Sequence, residues 1–482
     1  MNARTCGISQ NVLADVDPYP DTDNANGEAP VNHQYVDSST HAPITDAFRK
    51  SVYRKVAWRL LPLLFACYVL NYLDRINISY AQLQMRTELG FSDIVYGLGA
   101  SMFFAGYVLF EIPSNMLLQK IGARKTLLRI MLLWGLASAS TLFVRTPNQF
   151  YIARFMLGVF EAGLFPGIIL YLTFWFPPER RARVVSLFMT ATVVSGMISG
   201  PVSGWILHNL NEFHGLMGWQ WLYLLEGLPS CGLGIVVYLA LSDTPAQARW
   251  LTANDQEVIR ADMLASGSAP SAAHGGIALA LKSPVVYMYA FLYFALGWGA
   301  YALSFWMPSI IQSLGVADTR TIGLLSMIPY TFGAVAMVWY GRRSDRKGER
   351  RWHVAAAAFV AAMALAASTW TGSHLWLSIA LLSLALGGII AAYPVFWAAA
   401  TSAVPPQAAA ASIAAITSIG ALSGVTTPYA IGVLKTLTGS LSAGLYCAAA
   451  MVAIGGLVML FGYRREAAGL ASARQRVVLE RG

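Results

Sequence analysis

The stretch FYIARFMLGVFEAGLFPG, from Phe150 to Gly167, decides how the rest of the chain is read. It belongs to an apolar run that extends to about Trp175, and it carries two charges, Arg154 and Glu161. They lie seven residues apart, two helical turns, so one helix face carries both, roughly 10 Å apart along the axis. A charge at bilayer depth costs at least about 2.5–3.5 kcal/mol on insertion scales, so each needs a partner or a wet cavity. The stretch therefore predicts a polar pathway inside a membrane-embedded helix bundle.

The composition agrees with that reading. The 482 residues are 56% hydrophobic and 12% charged, where a soluble domain carries about 25% charged residues. Many apolar runs approach about 20 residues, the length that crosses a hydrocarbon core of about 30 Å. A β-barrel would instead show alternating segments of about ten residues. The predicted fold class is an all-α polytopic membrane protein, with 12 transmembrane helices in two six-helix bundles. The net charge of +9 is read as basic loops at a membrane surface and not as a nucleic-acid interface. Cys6, Cys67, Cys231 and Cys447 stand singly, a spacing that suits neither a disulfide framework nor a metal site.

Residues 1–50 read as a disordered cytoplasmic tail, because DVDPYPDTDNANGEAP has too little apolar surface to order itself. The first bundle is expected over 51–241, with spans near 57–80, 94–118, 126–144, 149–175, 184–207 and 219–241. A cytoplasmic linker occupies 242–283, with an amphipathic helix in DTPAQARWLTANDQEVIRADM and a flexible run in ASGSAPSAAHGG. The second bundle, 284–463, holds spans near 284–311, 321–341, 353–371, 375–403, 409–434 and 441–463, and a tail follows at 464–482.

Basic residues orient the chain. With both termini cytoplasmic, only Arg86, Arg145, Arg320 and Lys435 fall in outer loops, and Arg59, Arg75 and Arg154 fall in spans. An internal repeat recurs at half-chain distance. GRRSDRKGERR after span 8 keeps a Gly-x-x-x-Asp-Arg-x-Gly frame at Gly341, Asp345, Arg346 and Gly348. NMLLQKIGARK after span 2 is a degraded copy, with Asn115 and Gln119 in place of Gly and Asp. Two six-helix halves related by a repeat describe a transporter architecture.

These loops resemble the signature of the major facilitator superfamily, over nearly all of residues 50–465. NYLDRINISYA (71–81), GYVLFEIPSN (106–115), ARFMLGVFEAGLFPG (153–167), ILYLTFWFPPERRAR (169–183), WQWLYLLEGLPS (219–230) and FWMPSII (305–311) resemble its anion:cation symporter branch. Within that branch they look closest to permeases for tartrate, phthalate and hydroxyphenylacetate-type acids. The resemblance implies proton-coupled import of a small organic anion by a monomer in the cell inner membrane. The proton gradient is then the energy source, the lipid bilayer the surrounding partner, and no cofactor, metal or nucleic acid takes part. It matches the branch's first-helix acid–base pair to Asp74 and Arg75, and its fourth-helix pair to Arg154 and Glu161. The branch often has asparagines in an eleventh-helix frame like NSIGNLGG; here TSIGALSG places Thr417 and Ala421 there, which favours a less hydroxylated or more aromatic acid.

The residue types fit this chemistry. Proton coupling needs a buried carboxyl whose hold on a proton changes when a cationic neighbour is captured, and Asp74 and Glu161 have the depth for it. An anionic substrate needs a desolvated cation, and Arg75 and Arg154 each offer two parallel donors. Asp74 and Arg75 are about 100° apart around one helix, so which of them faces the chamber stays open. Tyr72 and Tyr107 are candidate hydrogen-bond donors, and Tyr301, Tyr393 and Trp397 are candidate walls of the second half. Glu111 is expected in a gate pair with loop arginines, and Asp345 with Arg346, Arg342 and Arg343 in a gating salt-bridge cluster. Glu226 reads as structural. Gly196, Gly200 and Gly204, spaced four apart, would let a helix approach closely. That glycine frame also resembles a motif of drug–proton antiporters, so the alternative is a proton antiporter exporting an organic acid or lipophilic compound. No nucleophile–base pair or metal-ligand spacing in the polar loops points to an enzyme.

Overall fold

Twelve helices among the described residues are long and apolar enough to cross a membrane. They are Asp46–Glu88, Asp93–Leu118, Ala123–Phe143, Pro147–Thr173, Pro178–Asn209, Gly218–Ala240, Pro284–Ser313, Thr319–Lys347, Arg351–Ser368, Leu375–Ala403, Ala411–Thr438 and Ser442–Gly462, numbered here as spans 1 to 12. The computed structural model of the chain describes residues 45–266, 279–280, 282–404 and 408–479. Residues 1–44 of the tail expected at 1–50, and most of the flexible linker run, lie outside the described residues.

The two halves repeat one packing scheme. Span 1 packs on span 5, span 2 on span 4, and span 3 on spans 4 and 6. Their counterparts do the same: span 7 on span 11, span 8 on span 10, and span 9 on spans 10 and 12. The halves meet where span 2 lies on span 11 and span 5 on span 8, a reciprocal pair of contacts related by the repeat. The glycine stripe of span 5 makes one of these contacts. Gly196 faces the Tyr330 ring, Gly200 lies against the Gly323 carbonyl, and a Cβ at Gly204 would stand 2.6 Å from the Thr319 carbonyl oxygen. Any side chain there would push the halves apart.

One span differs from the uninterrupted helices that hydropathy predicts. Span 4 is two helices, Pro147–Glu161 and Leu164–Thr173. Ala162 is extended and Gly163 has φ 90°, a left-handed conformation that favours glycine; a Cβ there would also meet Ser114 Oγ at 2.6 Å. Span 1, Asp46–Ile76 and Ile78–Glu88, runs on through Asn77, whose backbone stays helical at φ −52° and ψ −32°. The interruption of span 4 falls beside Glu161. A broken helix inside a membrane persists where its free backbone groups line a polar interior.

The ends of the chain also differ from expectation. Span 1 is already helical from Asp46, where a tail to residue 50 was expected, because Arg49 and Lys55 have partners in the linker. The last helix continues from Ser442 to Leu479, through the region expected as a tail. The linker helix, Ala253–Ala265, starts with a Thr252–Asp255 capping box. Lys55 Nζ sits 2.7 Å from Asp255, Arg49 lies 3.5 Å from Asp262, and Trp250 stacks on Trp175 at 5.7 Å. Burial works to raise the Asp255 carboxyl, but Lys55 and the Thr252 amide and hydroxyl overrule it and hold it below the usual carboxylate range. The start of the linker is thereby fastened to the first half.

Candidate functional site

The site is built where spans 1 and 4 bring their charges together. Span 4's first helix buries Phe150, Arg154, Leu157, Gly158 and Glu161 on one face, the spacing read from the sequence. Glu161 ends that helix, and its Oε1 accepts from Arg75 Nε at 3.1 Å and from Arg75 Nη2. Arg75 lies on span 1. Its guanidinium carbon stands 5.2, 5.9 and 5.1 Å from the ring centres of Phe103, Phe104 and Tyr107 on span 2. The Arg75 side chain keeps 13% of its surface open, whereas that of Glu161 has none.

Arg154 is the unusual group. It is fully buried, and Nε, Nη1 and Nη2 all lack a hydrogen-bond partner among the described residues. Its guanidinium carbon lies 5.1 Å from the centre of the same Phe103 ring that Arg75 faces. A cation at bilayer depth with five donors unused is costly unless an anion or water completes it.

Asp74 points the other way. Its carboxylate accepts from Asn77 Nδ2 at 2.9 Å, from Trp134 Nε1 at 2.8 Å and from the Ser138 hydroxyl. It is therefore turned toward span 3, whereas Arg75, its neighbour on the helix, turns to Glu161 and keeps 13% of its side-chain surface exposed. The 100° separation of neighbours on a helix has this outcome here.

The second half supplies rings. Tyr301 meets Phe104 edge-on at 4.8 Å, across the boundary between the halves. Tyr393 and Trp397 gather around Tyr293, at 5.8 and 5.2 Å, with Phe396 at 5.4 Å. Gly420 of span 11 leaves the room that the Tyr293 ring fills. Tyr72 and Tyr330 converge on Ser304 of span 7, so Tyr72 reaches the second half while staying within electrostatic range of Arg75. Tyr107 stays beside Arg75. In span 11, Thr417 donates back to its own helix, to the carbonyls of Ile413 and Ala414 at 3.0 and 2.9 Å.

The expected gate residues are placed differently from the sequence reading. Among the described residues Glu111 makes no ion pair, and Asp345 and Arg346 make none either. Arg346 instead lines a groove with Arg342, Arg343 and Trp339 at the end of span 8. The loop after it is held by Glu349, whose carboxylate accepts from the Trp352 and His353 amides and caps span 9. Ion pairing between the halves occurs at the opposite end. Asp93 binds Lys435 at 2.7 Å and Gln82 at 3.2 Å, and Gln82 accepts from Ser309 at 3.0 Å. Tyr96 donates to the Phe305 carbonyl beside them. That end is sealed, because Asp93 and Gly97 of span 2 also lie against Gly432 and Pro428 of span 11.

Phe103, Phe104, Tyr293, Asn77, Trp134 and Ser138 were not singled out in the sequence. Phe103 lies four residues before Tyr107 on one helix face, a usable signal. The Asp74 partners on span 3 had none, since 60 or more residues separate them from Asp74.

Comparison with known proteins agrees with this arrangement. The Major Facilitator Superfamily family model matches residues 64–428. An Agrobacterium vitis protein named "Putative tartrate transporter" is 42% identical over 420 residues, 86% of this chain and 92% of that one. A "Quinolone resistance transporter" of Acinetobacter baumannii is 36% identical over 416 residues, 86% of this chain and 94% of that one. Among solved structures, a bacterial homologue of the human lysosomal transporter Spinster, inward-facing and occupied, superposes with a TM-score of 0.68. It is 15% identical and covers 86% of this chain and 97% of that one, so it speaks for the fold.

Proposed function

The chain belongs to the Major Facilitator Superfamily, and from that premise we propose that it is a proton-coupled symporter importing a small organic anion. The favoured substrates are hydroxy or aromatic carboxylates of the tartrate, phthalate or hydroxyphenylacetate type. The carrying observation is Arg154, a fully buried guanidinium whose three nitrogens have no hydrogen-bond partner among the described residues. A substrate carboxylate supplies what this cation lacks, through two parallel N–H···O bonds in a low-dielectric setting. The tartrate name of a relative at 42% identity supports the same class of anion.

Coupling follows from the Arg75–Glu161 pair. A substrate carboxylate that engages Arg75 competes with Glu161 for the same donors. Glu161, fully buried and stripped of its cation, then binds a proton in preference to standing as a lone buried charge. The rings around Tyr293 and the Phe104–Tyr301 contact would wall the aromatic or aliphatic body of the acid. In this reading the protein is a monomer in the cell inner membrane. Both termini are cytoplasmic, and the two bundles, 51–241 and 284–463, rock about the 242–283 linker. The sealed Asp93–Lys435 end then faces outward.

Glu161→Gln tests the reading directly. It should abolish uptake driven by a proton gradient while sparing exchange of labelled substrate across liposomes. A variant that still concentrates substrate against the gradient removes Glu161 from the coupling step. A second reading, export of an acid or lipophilic compound by proton antiport, draws on the relative named for quinolone resistance. The sign of the external pH change on substrate entry separates the two: alkalinisation marks symport.

A further inference from the structure

Deep in the first half the ionisable groups do not balance. Two guanidiniums, Arg75 and Arg154, share that interior with three fully or nearly fully buried carboxyls, Asp74, Glu161 and Glu226. Glu161 is satisfied by Arg75. Asp74 accepts from three donors and lies within electrostatic reach of Arg154. Glu226, on span 6, is 4% exposed and has neither advantage. Ser203 donates to its Oε1 at 2.9 Å, and its Oε2 is buried with no partner among the described residues.

The groups facing Glu226 are polar, and none is a cation. Span 1 contributes Asp74, Asn77 and Tyr80, span 5 contributes Ser203, and Tyr223 comes from its own helix. Arg154 stands one layer further away, against Asp74. The Asn77 amide lies between the two carboxyls. Its Nδ2 donates to Asp74, and its Oδ1 is a buried acceptor without a donor. Two neighbouring carboxyls without a cation between them do not both ionise in a medium of low polarity.

We propose that Glu226 is a third proton-carrying carboxyl of this transporter, holding a proton in the described conformation and exchanging it when the sealed end opens. With Glu226 neutral, the two guanidiniums balance Asp74 and Glu161. The site is also placed to sense opening. Ser203 sits between Gly200 and Gly204, the residues that touch span 8. Tyr80 stands beside Gly200 and reaches toward Ser326 on span 8. Separation of spans 5 and 8 would uncover Tyr80 and admit water toward Glu226. The proton is exchanged with that water, so no other reactant is needed.

The inference rests on the proton-coupled reading for its role in transport, but its first test does not. Infrared spectroscopy of the purified full chain in liposomes reports the C=O stretch of protonated carboxyls without any substrate. A protonated-carboxyl band should be present at neutral pH, absent from Glu226→Gln, retained in Glu161→Gln, and shifted in Glu226→Asp. It should also titrate with pH in a Gly200→Val variant, whose sealed end is forced apart. A band unchanged by Glu226→Gln overturns the proposal. A band lost in Glu226→Gln that never titrates makes Glu226 a fixed acid and equally overturns it. With tartrate and phthalate as probes, wild type that moves neither acid with protons would sink the symport reading alone, leaving the band result to decide Glu226.

Discussion

Arg154 and Asp74 show how one residue's surroundings set its use. Both are fully buried charges, yet Asp74 has three donors and Arg154 has no hydrogen-bond partner among the described residues. A satisfied ion orders its neighbours, and an unsatisfied one waits for a ligand. Arg154→Lys keeps the charge but loses the fork, so binding of a carboxylate substrate should weaken at least about tenfold. Arg154→Ala should cost about a hundredfold or more. Both are read as the substrate concentration needed for half-maximal thermal stabilisation of the purified protein. Trp134→Phe removes one donor from Asp74 and should lower thermal stability by about 1–3 kcal/mol while leaving substrate affinity within about threefold. An affinity loss equal to that of Arg154→Lys would put Asp74 in the binding site itself.

At the scale of elements, the break in span 4 and the glycine stripe of span 5 do the positioning. Ending a helix at Glu161 turns the chain at Gly163 and leaves last-turn carbonyls without intrahelical partners, a negative end beside the Arg75 cation. Gly163→Val meets a φ of 90° and the Ser114 side chain together, so it should abolish stable expression or transport, measured by the yield of monodisperse protein. Gly200→Val instead leaves each half intact and disfavours their closure, because the Gly323 backbone cannot move aside as a side chain would. A cysteine placed at Ser309, in a background lacking Cys6, Cys67, Cys231 and Cys447, should then be labelled by a membrane-impermeant maleimide about tenfold faster. Span hydropathy announced the twelve crossings, most of them to within a few residues, with span 1 starting earlier and ending later than expected. It did not announce the break after Glu161, because both fragments are apolar and only Ala162 and the left-handed Gly163 separate them.

At the scale of the whole molecule, two repeated halves are closed at one end by polar contacts on both seams: His208 of span 5 lies 2.9 Å from Asp318 at the start of span 8, the repeat-related counterpart of Lys435 and Asp93. Asp93, Lys435, Gln82 and Ser309 join spans 1, 2, 7 and 11, and Lys435 also lies 5.3 Å over the Trp306 ring. Such a pair matters to transport because its members must separate each cycle. Lys435→Ala should shift the balance toward the opened end about five- to tenfold, read by the same maleimide labelling. Lys435→Asp should impair transport, and Asp93→Lys added to it should restore a substantial part of the initial rate. Failure of the exchange to restore transport would mean that Gln82 and Arg86, the other neighbours of Asp93, dominate the latch.

By itself the sequence determined the class of molecule, the number of its crossings and most of their bounds, the repeat, and the face shared by Arg154 and Glu161. These depend on hydropathy and on spacing along one helix, which are local properties. Only the tertiary structure decided that Asp74 turns toward span 3, that Glu161 belongs to Arg75, and that Asp93 is latched while Asp345 makes no ion pair among the described residues. Each of those outcomes is a choice among partners on different helices, often 60 or more residues away, and packing makes that choice.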